Sequence, residues 1–174
     1  MSDSELKKLK PVTAYAMILC AHANCRVLFK RFNELVESEA GKGDDKLVEM
    51  LAHHIGLHTR MHNQCIQDVE MALVKQLPKG GTLAQKMQKQ VLVLEEGLEN
   101  LEKTKKHLDN EEFVELMQKM EKDCEELMDQ EETVLEQLTK EVDEDALVKA
   151  ADKMESVKLS LTVQQLLPEK MAYA

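Results

Sequence analysis

Residues 51–72 read LAHHIGLHTRMHNQCIQDVEMA. Leu51, Ile55, His58, His62, Cys65, Val69 and Ala72 recur at spacings of three and four, which puts them on one face of an α-helix. A mean period near 3.5 is that of a bundle seam, where one helix packs along another. The seam is apolar except at its two imidazoles.

The same period runs through three further stretches. Before this one, Ile18, His22, Cys25, Phe29, Phe32 and Val36 form a stripe. After it come Leu83, Met87, Gln90, Leu94, Leu98 and Leu101, then Phe113, Met117, Met120, Cys124, Leu127, Glu131, Val134 and Leu138. Breakers and caps divide them. The first helix is expected from Val12 to about Ala40, stopped by Gly41 and Gly43. Asp44 and Asp45 can cap the second, which runs to about Gln76. Leu77-Pro78-Lys79-Gly80-Gly81 is the clearest break. Thr82 caps a third helix to about His107, and Asn110 a fourth to about Glu141, with Glu111 and Glu112 favouring its dipole. Asp143 opens a shorter helix to about Leu161. Short connections make consecutive helices antiparallel. The expected fold is all-α: an up-down-up-down antiparallel four-helix bundle with a short additional C-terminal helix. Residues 1–11 form an N-terminal arm, 12–161 the bundle and 162–174 a tail.

Composition agrees. Only 3% of the 174 residues are aromatic and none is Trp, so Leu, Met, Val and Ala must fill the core, which favours helices over strands. A net charge of -10 repels phosphate backbones, so no nucleic-acid partner is expected. No Lys/Arg-rich amphipathic face addresses an anionic membrane, and no run approaches the roughly 20 apolar residues of a span. Lys7, Lys8 and Lys10 before the apolar run from Val12 to Ala21 mimic a signal peptide. The helical period continues unbroken to Val36, so cleavage would cut a helix in half. Cys20, Cys25, Cys65 and Cys124 lie in helical patterns without CxxC spacing and read as reduced thiols of a cytoplasmic protein.

The polar residues on the stripes are His22, His58, His62, Gln90 and Glu131. A buried polar group without a partner costs about 1–3 kcal/mol, and an uncompensated buried carboxylate protonates. The economical expectation is that the five meet. Counted from the first turn, near residue 42, His22, His58 and His62 share a depth; counted from residue 109, so do Gln90 and Glu131. Across the break at Leu77-Pro78 the two layers are offset by about 9 Å at 1.5 Å per residue. His58 and His62, spaced i and i+4, can hold one metal ion from one helix, with His22 as a third imidazole. His54, one turn before His58, could support it; Cys25 and Cys65, one turn from the histidines, could assist, although core packing is their ordinary role. His53 points elsewhere.

These residues resemble a known family. Residues 20–32, CAHANCRVLFKRF, are similar to the first helix of the hemerythrin-like, or HHE cation-binding, proteins. His58-Thr59-Arg60-Met61-His62 resembles the second-helix motif His-x-x-x-Glu, and Glu131-Glu132-Thr133-Val134-Leu135 the end of the fourth-helix motif. The likeness spans roughly residues 12–140. It implies a non-haem di-iron centre in the bundle, bridged by two carboxylates, and binding or sensing of O2 or handling of iron. On this reading His22, His58 and Glu131 stand at ligand positions and His62 where a bridging Glu is expected. Gln90 stands near the third-helix His, and Leu127 where the fourth-helix His belongs. Leucine cannot ligate, so the half-site on the third and fourth helices is mostly lost. His22, His58, His62 and Glu131 then suit one divalent ion, iron by resemblance.

Three functions compete: a hemerythrin-like protein with a mononuclear site, taking a small ligand such as O2; a metal-free bundle serving as scaffold, with a protein partner or as a homodimer; and an iron-dependent oxidase. No nucleophile constellation, phosphate loop or dinucleotide fingerprint supports an enzyme, and no catalytic residue is assigned.

Overall fold

Thr13 starts the first helix, its hydroxyl accepting a hydrogen bond from the Ala16 N–H at 3.4 Å. From there α1 runs Ala14–Glu37, and Ser38 closes it in extended conformation. The computed structural model describes residues 12–38, 45–104 and 110–166, and no described residue lies in a strand. The expected arm over 1–11, the stop at Gly41 and Gly43, the Asp44 cap and the end of the tail from 167 fall outside the described residues.

The second helix, α2 (Asp45–Cys65), changes pitch without breaking. A π-helical turn over Ile66–Glu70 leads into α3 (Met71–Val74), with α-helical dihedrals at both joints. Such turns insert one residue into an α-helix and often mark functional positions. Here the insertion rotates everything after Cys65. Ala72, expected on the seam, is exposed, while Glu70 is fully buried.

The chain then reverses through Lys75–Lys79. Lys79 adopts the left-handed φ of 60°, and the Gly80 N–H donates to the Leu77 carbonyl at 2.8 Å. A Cβ on Gly80 would run into the Val74 carbonyl oxygen, so glycine is needed there. This turn starts α4 (Gly80–Thr104) two residues before the expected Thr82. Thr82 lies in the first turn, its N–H bonded to the Lys79 carbonyl, rather than capping it. After it come α5 (Asn110–Glu141) and α6 (Glu144–Leu166). The Asp143 carbonyl accepts the first bonds of α6, from Ala146 and Leu147.

Specific pairs fix the directions. Arg26 meets Glu125 and Asn33 meets Glu121, so α1 and α5 run in opposite senses. Arg60–Glu102 and Asn63–Glu95 do the same for α2 and α4. Cys65 against Met154 and Met61 against Thr162 oppose α2 and α6. The C-terminal helix is no short appendage: its 23 residues nearly match the 24 of α1. It packs on α1, α2 and the π turn, and buries Leu147, Ala150, Ala151 and Met154.

Large aliphatic and aromatic side chains fill the interior, among them Phe29, Phe32, Ile55, Leu94, Leu127 and Leu138. Each contributes about 1.5–3 kcal/mol on burial. Among the described residues, only His22, Thr59, Asn63, Glu70 and Glu131 are polar and buried. No helix among the described residues is long and apolar enough to cross a membrane.

Candidate metal centre

Three helices bring the polar cluster together. The α1 stripe turns His22 inward, α2 supplies His62, and α5 supplies Glu131. Both imidazoles aim Nε2 at the same carboxylate oxygen, Glu131 Oε2, at 3.3 Å from His22 and 2.9 Å from His62. The rings stand edge to face, centroids 5.2 Å apart. One ligand atom from each residue lies within 4.8 Å of the others. Donors around a tetrahedral ion with bonds near 2.0–2.1 Å are separated by about 3.3 Å. His22 and Glu131 are almost wholly buried, and His62 is only 12% exposed.

A second carboxyl group stands beside the first. Glu70, the last residue of the π turn, has no solvent exposure, and its carboxyl lies against that of Glu131, to which it can donate a hydrogen bond when protonated. No donor from any other described residue reaches the Glu70 oxygens or Glu131 Oε1. Burial first, and then the negative charge of Glu131, holds the Glu70 carboxyl well above the usual carboxylate range. For Glu131 burial also acts upward. The charge of His62 and the hydrogen bonds from His22 and His62 outweigh it and leave Glu131 well below that range.

The other face of His22 is equally defined. Its Nδ1 lies 3.0 Å from Glu132 Oε1, and that oxygen also accepts from Arg26 Nη1 at 2.9 Å. Arg26 in turn grips Glu125 through Nε and Nη2 at 3.1 Å. Burial lowers the His22 pKa, but Glu131 and then Glu132 more than offset that and raise it. A carboxylate on Nδ1 fixes the ring and leaves Nε2 facing the cluster, the arrangement by which proteins orient metal-bound histidines.

Not all five stripe residues meet. His58 stays out of the cluster: one turn before His62, its ring lies beside Cys25, and its buried Nδ1 has no hydrogen-bond partner. Gln90 faces the α5 backbone and donates to the Asp123 carbonyl at 3.3 Å, eight residues before Glu131, so the two do not share the depth expected from counting back to the turn near residue 109. His54 and His53 are exposed, so His54 supports nothing in the site. Cys65 donates to the Met154 carbonyl and is occupied in holding α6, while Cys25 packs beside Cys124. Leu127 is an ordinary buried side chain.

Sequence reasoning missed Glu70, Glu132 and Arg26. Glu70 falls off a regular 3.5-residue stripe and comes inward only through the π turn. Glu132 and Arg26 flank stripe positions, and a Glu-Glu doublet facing His22 and Arg26 was the available signal. A cleft of about 300 Å3, lined among others by Met17, Met61, His58 and Lys158, reaches His62 from the surface.

Comparisons with protein-family models, with curated proteins and with solved structures find no match to this chain.

Proposed function

We propose that this chain is a hemerythrin-like metal-binding protein with a mononuclear, non-haem site on His22, His62 and Glu131, completed by Glu70. One observation carries the reading. His22, His62 and Glu131 bring ligand atoms within 4.8 Å of one another, and the fully buried Glu70 carboxyl lies against Glu131. Buried carboxylates are paired or coordinate metals, because an isolated one costs several kcal/mol or takes up a proton. Two imidazoles and two carboxylates suit Fe(II) or Zn(II). The resemblance favours iron, and the cleft at His62 gives a small ligand such as O2 a way in.

The fold that fits this role is an up-down-up-down antiparallel four-helix bundle made by α1, α2–α3, α4 and α5, with α6 packed as a fifth helix. His58 and Gln90 lie outside the cluster, and Leu127 stands where the resemblance expects a histidine, which supports a single ion rather than two. Buried thiols suit a reducing cytoplasmic setting.

Metal analysis of protein purified without chelator, followed by titration with Fe(II) and with Zn(II), tests the reading. About one ion per chain is expected, lost in Glu131→Ala and in His62→Ala. A stoichiometry near zero that neither metal raises would overturn it. One feature favours the metal-free scaffold as a second reading: His22, its pKa raised by Glu131 and Glu132, faces both carboxylates, and the neighbouring Glu70 carboxyl is held above the usual carboxylate range. A constant protein partner with no metal at any stage would select it.

A further inference from the structure

A separate cavity lies on the far side of α2 from the histidine cluster. Lys46, Glu49, His53, Gly56 and Arg60 recur at spacings of three and four, so they share one face of α2, opposite the face that carries His58 and His62. That face looks across to α4 and the start of α5 over a cavity of about 350 Å3. The walls are mostly apolar, with Leu57, Leu98, Leu101 and Phe113 among them. Gly56 makes part of the room. A Cβ on it would stand 3.5 Å from Leu98 Cδ2, in ordinary contact, and a longer side chain would take up cavity space. Met50, 58% exposed, leaves further apolar surface bare at the rim.

The polar groups around this cavity favour an anion. Lys46, His53 and Arg60 line it against Glu49 and Glu102, a local excess of cationic groups on a chain of net charge -10. Arg60 is under-used. Its Nη2 is out of water without a hydrogen-bond acceptor, and Glu102 Oε1, 2.8 Å away, gives it a counter-charge but no aligned hydrogen bond. Glu102 itself is largely exposed and can give way to a competing anion.

We propose that this cavity binds a medium-chain monocarboxylate, with its chain against Leu57, Leu98 and Leu101 and its carboxylate on Arg60. Small-ligand sites are mostly apolar cavities in which a few polar groups fix orientation. A guanidinium takes a carboxylate through two parallel N–H···O bonds. At roughly 30 Å3 for each water-sized group, the volume holds about 12 non-hydrogen atoms, the size of decanoate. Inorganic phosphate would engage Arg60 and leave the walls unfilled. A neutral alcohol would fill the walls and leave Arg60 without an acceptor. The inference uses no residue of the proposed metal site and does not require an ion there.

The test titrates the full chain, in chelator, with decanoate, with 1-decanol and with inorganic phosphate, followed by calorimetry and by backbone amide NMR. Decanoate should bind at one per chain and shift the Gly56 and Leu98 resonances. 1-Decanol should bind about tenfold more weakly, and phosphate should leave those resonances in place. Arg60→Met should bring decanoate down to the affinity of the alcohol. Glu102→Gln, which removes the competing carboxylate, should tighten decanoate several-fold and leave the alcohol unchanged. Gly56→Leu should abolish binding of both. Decanol binding as tightly as decanoate, shifts centred away from Gly56 and Leu98, or no saturable binding of decanoate would each overturn the proposal. The wild-type titrations decide this even where a variant fails to fold.

Discussion

The interior of this protein has two unlike layers. Where α1, α2 and α5 meet, His22, His62 and Glu131 converge with little access to water, and the fully buried Glu70 from the π turn lies against Glu131. One turn away along α5 stands Leu127, fully buried in the apolar core, and further along the same helix, at Asp123, Gln90 bonds the α5 backbone. The helices and the packing rules are the same. The difference is that one layer gathers buried carboxyl and imidazole groups that must satisfy one another, and Leu127 brings none to its layer. Buried charges are costly alone and tolerable when gathered around a counter-charge, so they are concentrated at one depth.

Substitutions that exchange the properties of the layers probe that contrast most strongly. Glu131→Ala leaves two imidazoles and Glu70 without their shared carboxylate. It should abolish metal binding and cost about 3–5 kcal/mol in the metal-free protein, measured by urea denaturation. Leu127→Ala should cost about 2–5 kcal/mol through the cavity it opens. Metal stoichiometry, followed in the same titration, should not change, because the dry layer holds no ligand.

Smaller effects sharpen the contrast. Glu132→Ala removes the acceptor on His22 Nδ1 and should weaken metal affinity about 10–100-fold, read by competition with a chromophoric chelator.

The pH dependence of the metal-free protein has a definite sign. His22 is raised from 6.5, so its contribution is complete below pH 6.5 and is lost as pH rises through its folded value. Glu131 is lowered from 4.5, so its contribution is present above pH 4.5 and fades as pH falls below it. Glu70 is raised from 4.5, so the unfolded chain gains relative stability as pH climbs above that value. Melting in chelator should therefore peak between pH 4.5 and 6.5 and fall toward pH 8. Glu70→Gln should reduce that fall, raising the melting temperature at pH 8 by roughly 4 °C. Lys79→Gly, far from both layers at φ 60°, should add about 1 kcal/mol.

Much of the scaffold was legible. The α5 stripe from Met117 to Leu138 is buried at every position, and Glu141 ends the helix where expected. His22, His62 and Glu131 were legible too, as polar interruptions of apolar stripes. What was not legible depended on departures from regularity. A π turn changes helical phase by about one residue, so Glu70 came in and Ala72 went out with no signature in the stripe. A left-handed Lys79 moved the start of α4 ahead of Thr82. His58 met the spacing rule for a metal-binding pair, but spacing constrains only a helix face, and its ring settled beside Cys25 instead. The length of α6 was underestimated because its helical pattern has no strong apolar stripe after Met154.

Anomalous scattering from a crystal grown with Fe(II) or Zn(II) under anaerobic conditions tests most directly whether His22, His62, Glu131 and Glu70 share a cation. The predicted result is a single peak about 2.0–2.2 Å from His22 Nε2, His62 Nε2 and a Glu131 oxygen, with Glu70 turned onto it. A map with no peak in that layer, or with the ion held only by surface histidines such as His53 and His54, would contradict it.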